Sequence, residues 1–327
     1  MSHLLRCLRA GVVGLMGWVF AMSVMAQAYP AKPIKLIVPF TPGGGVDIYA
    51  RLIQPELSRL LGQPVTIDNR TGASGMIGSD AVAKSAPDGY TLLVGNVATY
   101  AMNVGIYRKM PYDPLKDLSL VFQTVMLPYV LVVNPNLPVQ SVPELLAYTR
   151  AHPGKVSYSS SGSGSAQHMA AELFKSRSGA DLTHVPYKGV GAMVTDLIAG
   201  HVQVAFADLA SLLPHIKSGK LKLLAVTSPR RLTEFPDTPT VEEAAQLPGF
   251  EISGWQGIAG PAGLPPAIVK RLNEVMNQIQ ASPAMRDKFR ESGLIPVGGS
   301  PEDFHRYVQA EITKWSKVAK DIGAVID

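Results

Sequence analysis

The pattern that most restricts this chain is an apolar run of strand length that leads through glycine into a stripe of helical period. Residues 34–40 (IKLIVPF) are nearly continuous in apolar side chains, as a parallel strand covered on both faces requires. Gly43, Gly44 and Gly45 follow. Residues 46–61 then place Ile48, Leu52, Ile53, Leu57, Leu60 and Leu61 on one helical face. Further strands are expected at 90–95 (YTLLVG), 130–133, 202–206 (VQVAF) and 223–226. Helix starts are marked by the capping-box patterns Ser141-Val142-Pro143-Glu144 and Thr240-Val241-Glu242-Glu243, and by Ser282-Pro283 and Ser300-Pro301. After Pro265 the chain reads as almost wholly helical. This alternation predicts an α/β fold with mostly parallel sheets, and 327 residues give room for about two domains.

Residues 1–28 read as a separate segment. Arg6 and Arg9 precede an uncharged stretch that ends in Ala26-Gln27-Ala28, the layout of a secretory signal peptide with cleavage after Ala28. The one cysteine, Cys7, lies before the apolar run, where it serves neither lipidation nor an internal disulfide. Removing the segment takes away two arginines and no acid, so the basic excess of five shrinks. Without a basic run, that excess makes no case for nucleic acid.

Open α/β sheets bind ligands beyond the carboxyl ends of their strands, so the strand-to-helix turns are where chemistry is expected. The first runs from Phe40 and Thr41 through the three glycines to Asp47. Its glycines can turn backbone amides toward a ligand, and a helix N-terminus favours negative charge. Asp47 itself reads as structural, because it would repel an anion at close range. The second is the serine–glycine run 159–165, in which Ser165 is a helix N-cap and His168 falls in the first turn. The third and fourth are the turn holding Asn96 and Thr99 and the one ending in Asp208, which can instead cap the next helix.

Catalytic and cofactor templates fit poorly. Gly72-Ala73-Ser74-Gly75-Met76 departs from G-x-S-x-G at its last position. Gly162-Ser163-Gly164 lacks the third glycine of a dinucleotide fingerprint, and Gly219-Lys220-Leu221 is not a P-loop. The seven histidines have no close metal spacing. No cofactor and no metal are expected. An exported serine hydrolase is the competing enzyme reading, with Ser163 or Ser165 beside His168 as its visible candidates.

Taken together, six ordered motifs resemble the substrate-binding proteins of tripartite tricarboxylate transporters, the Bug or TctC-like family. They are Ile37-Val38-Pro39-Phe40 running into Gly43-Gly44-x-x-Asp47; Asp88-Gly89-Tyr90-Thr91-Leu92-Leu93; Ser160-x-Gly162-x-Gly164-Ser165 with His168; Val185-Pro186-Tyr187-Lys188-Gly189; Leu213-Pro214-His215-Ile216-Lys217-Ser218-Gly219; and Trp255-x-Gly257 with Pro261-x-Gly263-x-Pro265. The resemblance implies a type II periplasmic-binding-protein-like fold, a two-lobed Venus flytrap with an interlobe ligand cleft. Residues 29–128 and 255–327 would form a discontinuous first lobe and residues 129–254 the second, with crossings near 127–133 and 251–257. It implies an exported, periplasmic monomer that is not an enzyme. Such a protein captures an organic carboxylate (a di- or tricarboxylate, an amino-acid-like or an aromatic acid) and delivers it to membrane permease subunits. A ligand-loaded sensor that meets a receptor instead of a permease would use the same cleft. Carried over by position, lobe one offers Phe40, Thr41, Gly44, Gly45, Asn96 and Thr99. Lobe two offers Ser160, Ser163, Ser165, His168, Gly189 and Asp208, with Lys188 a secondary counter-ion. Small residues at Gly45 and Val46 leave room for a ligand larger than a four-carbon diacid.

Overall fold

The computed structural model describes residues 29–324; the expected signal peptide and its cleavage after Ala28 fall on residues outside them. In chain order the elements are β1 (Ile34–Val38), α1 (Gly45–Leu61), β2 (Val65–Asn69), a 3₁₀ turn (Ala73–Gly75), α2 (Met76–Ala83), β3 (Thr91–Asn96), a π turn (Ala98–Met102), α3 (Asn103–Ile106) and β4 (Leu118–Val133). Then follow α4 (Val142–Ala151), β5 (Ser157–Ser160), α5 (Ala166–Ser178), β6 (Thr183–Pro186), α6 (Val190–Ala199), β7 (Val204–Asp208), α7 (Leu209–Lys217), β8 (Lys222–Val226) and α8 (Val241–Ala245). β9 (Ser253–Pro261), α9 (Pro266–Ala281), α10 (Pro283–Glu291), β10 (Ile295–Pro296) and α11 (Pro301–Asp321) complete the described chain.

The strands form one sheet in the order β2-β1-β3-β9-β4-β7-β5-β6, with β8 and β10 also on β4. It is a mixed sheet, which corrects the expectation of mostly parallel ones. Among the described residues four pairings are parallel and five antiparallel. The parallel pairs sit at the two outer ends, where βα units supply them. The antiparallel pairs all involve the two long central strands β4 and β9, which run between the two ends. β4 changes partners along its length: residues 118–128 pair with β9, and residues 129–133 with β7 and β8. The change falls between Pro128, opposite Ser253, and Tyr129, opposite Asp208.

Local sequence explains several boundaries. Thr240 and Glu243 close a reciprocal capping box, and Ser300 does the same with Asp303. Ser141 caps Glu144, but the Glu144 carboxylate reaches back to Gln140 instead of Ser141, so that box is only half formed. β9 (SGWQGIAGP) overlaps the crossing expected near 251–257 and is rich in glycine, which disguises it as a strand. Its glycines are spaces for neighbours: Phe304 of α11 packs where a side chain at Gly257 would stand, and Leu264 does so at Gly260. α11 is pinned to the same strand by Glu311, whose carboxylate accepts from the indoles of Trp255 at 2.8 Å and Trp315 at 3.0 Å. Buried indole donors need such a partner, and here one carboxylate serves both.

Candidate functional site

A cavity of about 410 Å³ opens where the two ends of the sheet face each other, within the range of small-molecule sites. Five helices begin at its wall. Gly44, Gly75, Ser165, Gly189 and Asp208 are the N-caps of α1, α2, α5, α6 and α7, and all five line it.

The five starts are not equivalent. Ser165 spends its hydroxyl on the His168 amide, and Asp208 spends one oxygen on the Ser211 amide and hydroxyl, at 2.9 and 2.7 Å. α2 is preceded by a turn that takes the Met76 amide on the Ala73 carbonyl. α1 and α6 begin on glycines with no side-chain cap. Their orphan amides carry the positive end of a 17-residue and a 10-residue helix. The two starts also face each other: a methyl group at Gly44 would lie 3.5 Å from Val190 Cγ2. Gly45 is tighter still, since a methyl there would lie 2.6 Å from Leu127 and 2.7 Å from Asp208 Oδ1.

Asp47 holds the first of these starts in shape. It is 2 % exposed and accepts from the Gly43 amide, Arg51 and Asn69. Burial pushes its pKa up, but these hydrogen bonds together outweigh burial and hold the carboxyl below its ordinary value. Its oxygens are thus spent on the turn.

The walls meet across the cleft. Ser74 donates to the Ser163 carbonyl at 2.9 Å, Tyr107 donates to the same oxygen at 3.3 Å, and Thr41 packs against Gly189. Ser74 reaches it from an unusual turn in which Gly72, Ala73, Ser74 and Gly75 all have positive φ, at 131°, 46°, 52° and 86°. Ala73 and Ser74 pay roughly 1–2 kcal/mol each for that conformation, and Asn103 steadies it by donating to the Ser74 carbonyl.

Of the residues expected from sequence, Phe40, Thr41, Gly44, Gly45, Asn96, Ser163, Ser165, Gly189 and Asp208 are brought together on the cavity wall. Thr99, Ser160 and His168 stand behind it. Thr99 is buried and closes the turn after β3 on the Asn96 backbone. Ser160 pairs with His184 Nε2 at 2.7 Å and accepts from the Gly162 amide. His168 accepts from the Gly164 amide and stacks on His184, their rings 4.3 Å apart. Burial lowers the pKa of both histidines, and His168 also pushes His184 down, to about 4. Neither serine of the hydrolase reading has a base aimed at it: Ser165 accepts from the His168 backbone, and the His168 ring is turned to Gly164.

The cavity also holds residues that the sequence did not mark as ligand contacts, among them Ser74, Tyr107, Tyr129, Gln167 and Gln256. A glycine bracket at 72 and 75 and a polar residue in the middle of strand β9 were the available signals. Lys188, exposed, is the one cationic side chain on the wall, and Asp208 the one carboxylate. Asp208 is 5 % exposed, and burial raises its pKa against the opposing pull of Ser211. Among the described residues no cluster of three metal-ligating side chains exists, and no helix is long and apolar enough to cross a membrane.

Comparison with known proteins gives the family and the fold. The family described as the tripartite tricarboxylate transporter family receptor matches residues 49–324. Protein BugT of Bordetella pertussis is 41% identical over 305 residues, covering 93% of both chains. Rpa4515 of R. palustris, solved with adipate, superposes with a TM-score of 0.88 at 41% identity, covering 90% of this chain and 98% of that one. MatC from Rhodopseudomonas palustris, solved with bound malate, gives 0.84 at 31% identity over 89% of this chain and 99% of that one.

Proposed function

This chain belongs to the tripartite tricarboxylate transporter receptor family of periplasmic solute-binding proteins, and we propose that it captures one organic carboxylate between two closing lobes and delivers it to the membrane subunits of such a transporter. A member of this family is a binding protein and not an enzyme. In the proposed division, residues 29–128 with 255–327 form one lobe and residues 129–254 the other. The partner change in β4 at Pro128 and Tyr129 supports it.

The observation that carries the proposal is the pair of uncapped helix starts, α1 from one end of the sheet and α6 from the other, opposed across one cavity. An anion between them satisfies amides on both sides at once, so the ligand favours the closed form over the open one. Phe40, Val97, Leu127 and Trp255 supply apolar wall for the ligand's carbon skeleton. Relatives solved with adipate and malate support a carboxylate as the class. A thermal-shift screen of mono-, di-, tricarboxylic and aromatic acids tests this. A ligand at 100 times its Kd stabilises the protein by about 2.7 kcal/mol. The expected result is a clear rise in Tm for one subset of acids; no shift from any acid contradicts the proposal.

A further inference from the structure

Gln256 is out of place for a structural residue. It sits in the middle of β9, directly across from Asn96 in the ladder, is 0 % exposed, and lines the cavity. Neither its amide nitrogen nor its amide oxygen has a hydrogen-bond partner. Among the described residues, buried side-chain atoms without a hydrogen-bond partner also occur at Tyr49, Asn103, Thr124 and Gln280, but none of these lines the cavity. Among these residues only Gln256 has two separate unpartnered polar atoms, the amide donor and the carbonyl acceptor, and lines the cavity. Asn96, its neighbour across the ladder, has no acceptor to offer the Gln256 nitrogen, because its side-chain oxygen is spent on the amides of Ala98 and Thr99.

A buried primary amide with nothing to bond is costly, and natural cores avoid it unless something else completes it. The missing partner must supply a donor for the oxygen and an acceptor for the nitrogen. A carboxylate accepts only, so it would satisfy half of Gln256 and leave the other half buried and bare. It would also bring a second negative charge into a cavity whose own fixed charges are the buried Asp208 and the exposed Lys188. A hydroxyl or a carboxamide satisfies both atoms and adds no charge.

We propose that Gln256 is a specificity-determining residue that reads a neutral, donor-and-acceptor group on the ligand, so that the ligand is a hydroxy or carboxamido monocarboxylate and not a simple dicarboxylate. This rests on the capture of a carboxylate proposed above. The carboxylate occupies the opposed starts of α1 and α6, and the neutral group meets Gln256 on the floor of the cleft. A site built to bond such a group rejects an analogue lacking it, because the site's own atoms are then left unpaired.

Two matched series test it by calorimetry. The linear series is 6-hydroxyhexanoate, adipate monoamide, adipate and hexanoate; the aromatic series is 4-hydroxybenzoate, terephthalate monoamide, terephthalate and benzoate. In whichever series binds, the hydroxyl or amide member should bind at least about tenfold more tightly than both the dicarboxylate and the unsubstituted acid. Gln256→Leu should reduce that member to the level of the unsubstituted acid while leaving the latter's affinity within a few-fold. Gln256→Met, closer in shape, replaces it if the leucine variant loses its cooperative melt. A dicarboxylate that binds tightest, or a preference that survives both substitutions, overturns the assignment while leaving carboxylate capture standing. If no member of either series binds, the assignment of Gln256 fails, while capture of a carboxylate stands or falls on the wider acid screen.

Discussion

Two polar turns border the cleft, and in sequence they look interchangeable: Thr41-Pro42-Gly43-Gly44-Gly45 before α1, and the serine–glycine run 159–165 before α5. In the structure they do opposite things. The first leaves the start of its helix uncapped and draws Asp47 back onto the Gly43 amide. The second consumes its own polarity: Ser165 caps its helix, Ser161 donates to Gln167, Ser160 ties Gly162 to His184, and His168 takes the Gly164 amide. Being polar is therefore not the same as being available, and only the accounting of each donor and acceptor separates the two. In the proposed function the glycine turn, with its counterpart at Gly189, is the part left open for the ligand; the serine turn builds wall and carries Ser163 to its contact across the cleft.

Breaking the glycine side should have the largest effects. A methyl group at Gly189, where φ is 125°, would run into Thr41 across the cleft. Gly189→Ala is expected to weaken binding by about 100-fold by calorimetry, through backbone strain and a blocked closure. Adding Thr41→Ala should recover part of the loss, whereas no recovery would mean that the turn alone was damaged. Gly44→Val keeps an allowed backbone, at φ −80°, but crowds Val190 and covers the neighbouring amides. It should cost about tenfold or more in affinity with little change in Tm.

Substitutions on the serine side should invert that pattern. Ser165→Ala removes a helix cap and should lower stability by about 1 kcal/mol in denaturant melts, with affinity held within a few-fold. The same side should also show a pH dependence that leaves binding untouched near neutral pH. His184 titrates near 4 in the folded protein, below its ordinary 6.5, so its neutral form is the one that folding favours. The stability it lends is present above pH 6.5 and is lost as pH falls toward 4. His184→Gln should flatten that acid limb relative to the wild type, measured as Tm against pH. An unchanged limb would remove His184 from the account.

How much of this could be read in the sequence differs between the outer and central strands. β1 and α1 were legible because an apolar run, three glycines and a helical stripe each signal one thing. β4 was seen only as its last four residues, since Gln123, Thr124 and Pro128 interrupt a strand that is buried along most of its length. β9 hid its identity behind glycines whose purpose is to admit Phe304 and Leu264 from elsewhere in the chain, and that is tertiary information. The mixed sheet follows from these two strands, which explains why the expected parallel one was only half right. At the site, helix starts were visible as glycine and serine turns. Which of their groups remained free was not, because the partners of Ser160 and Thr41, at His184 and Gly189, are remote in sequence. Gln256 stood within a recognised motif, yet its isolation shows only when every neighbour's hydrogen bonds are accounted for.

In the proposed function, backbone amides at the two opposed helix starts that begin on Gly44 and Gly189 hold the ligand, and the serine turn does not. An amide ¹⁵N–¹H titration with a bound carboxylate measures this directly. The Gly44, Gly45, Gly189 and Val190 resonances should move most and saturate together, with Gly164, Ser165 and His168 moving far less. Large shifts across residues 161–168 with the four glycine-turn amides unmoved would contradict it.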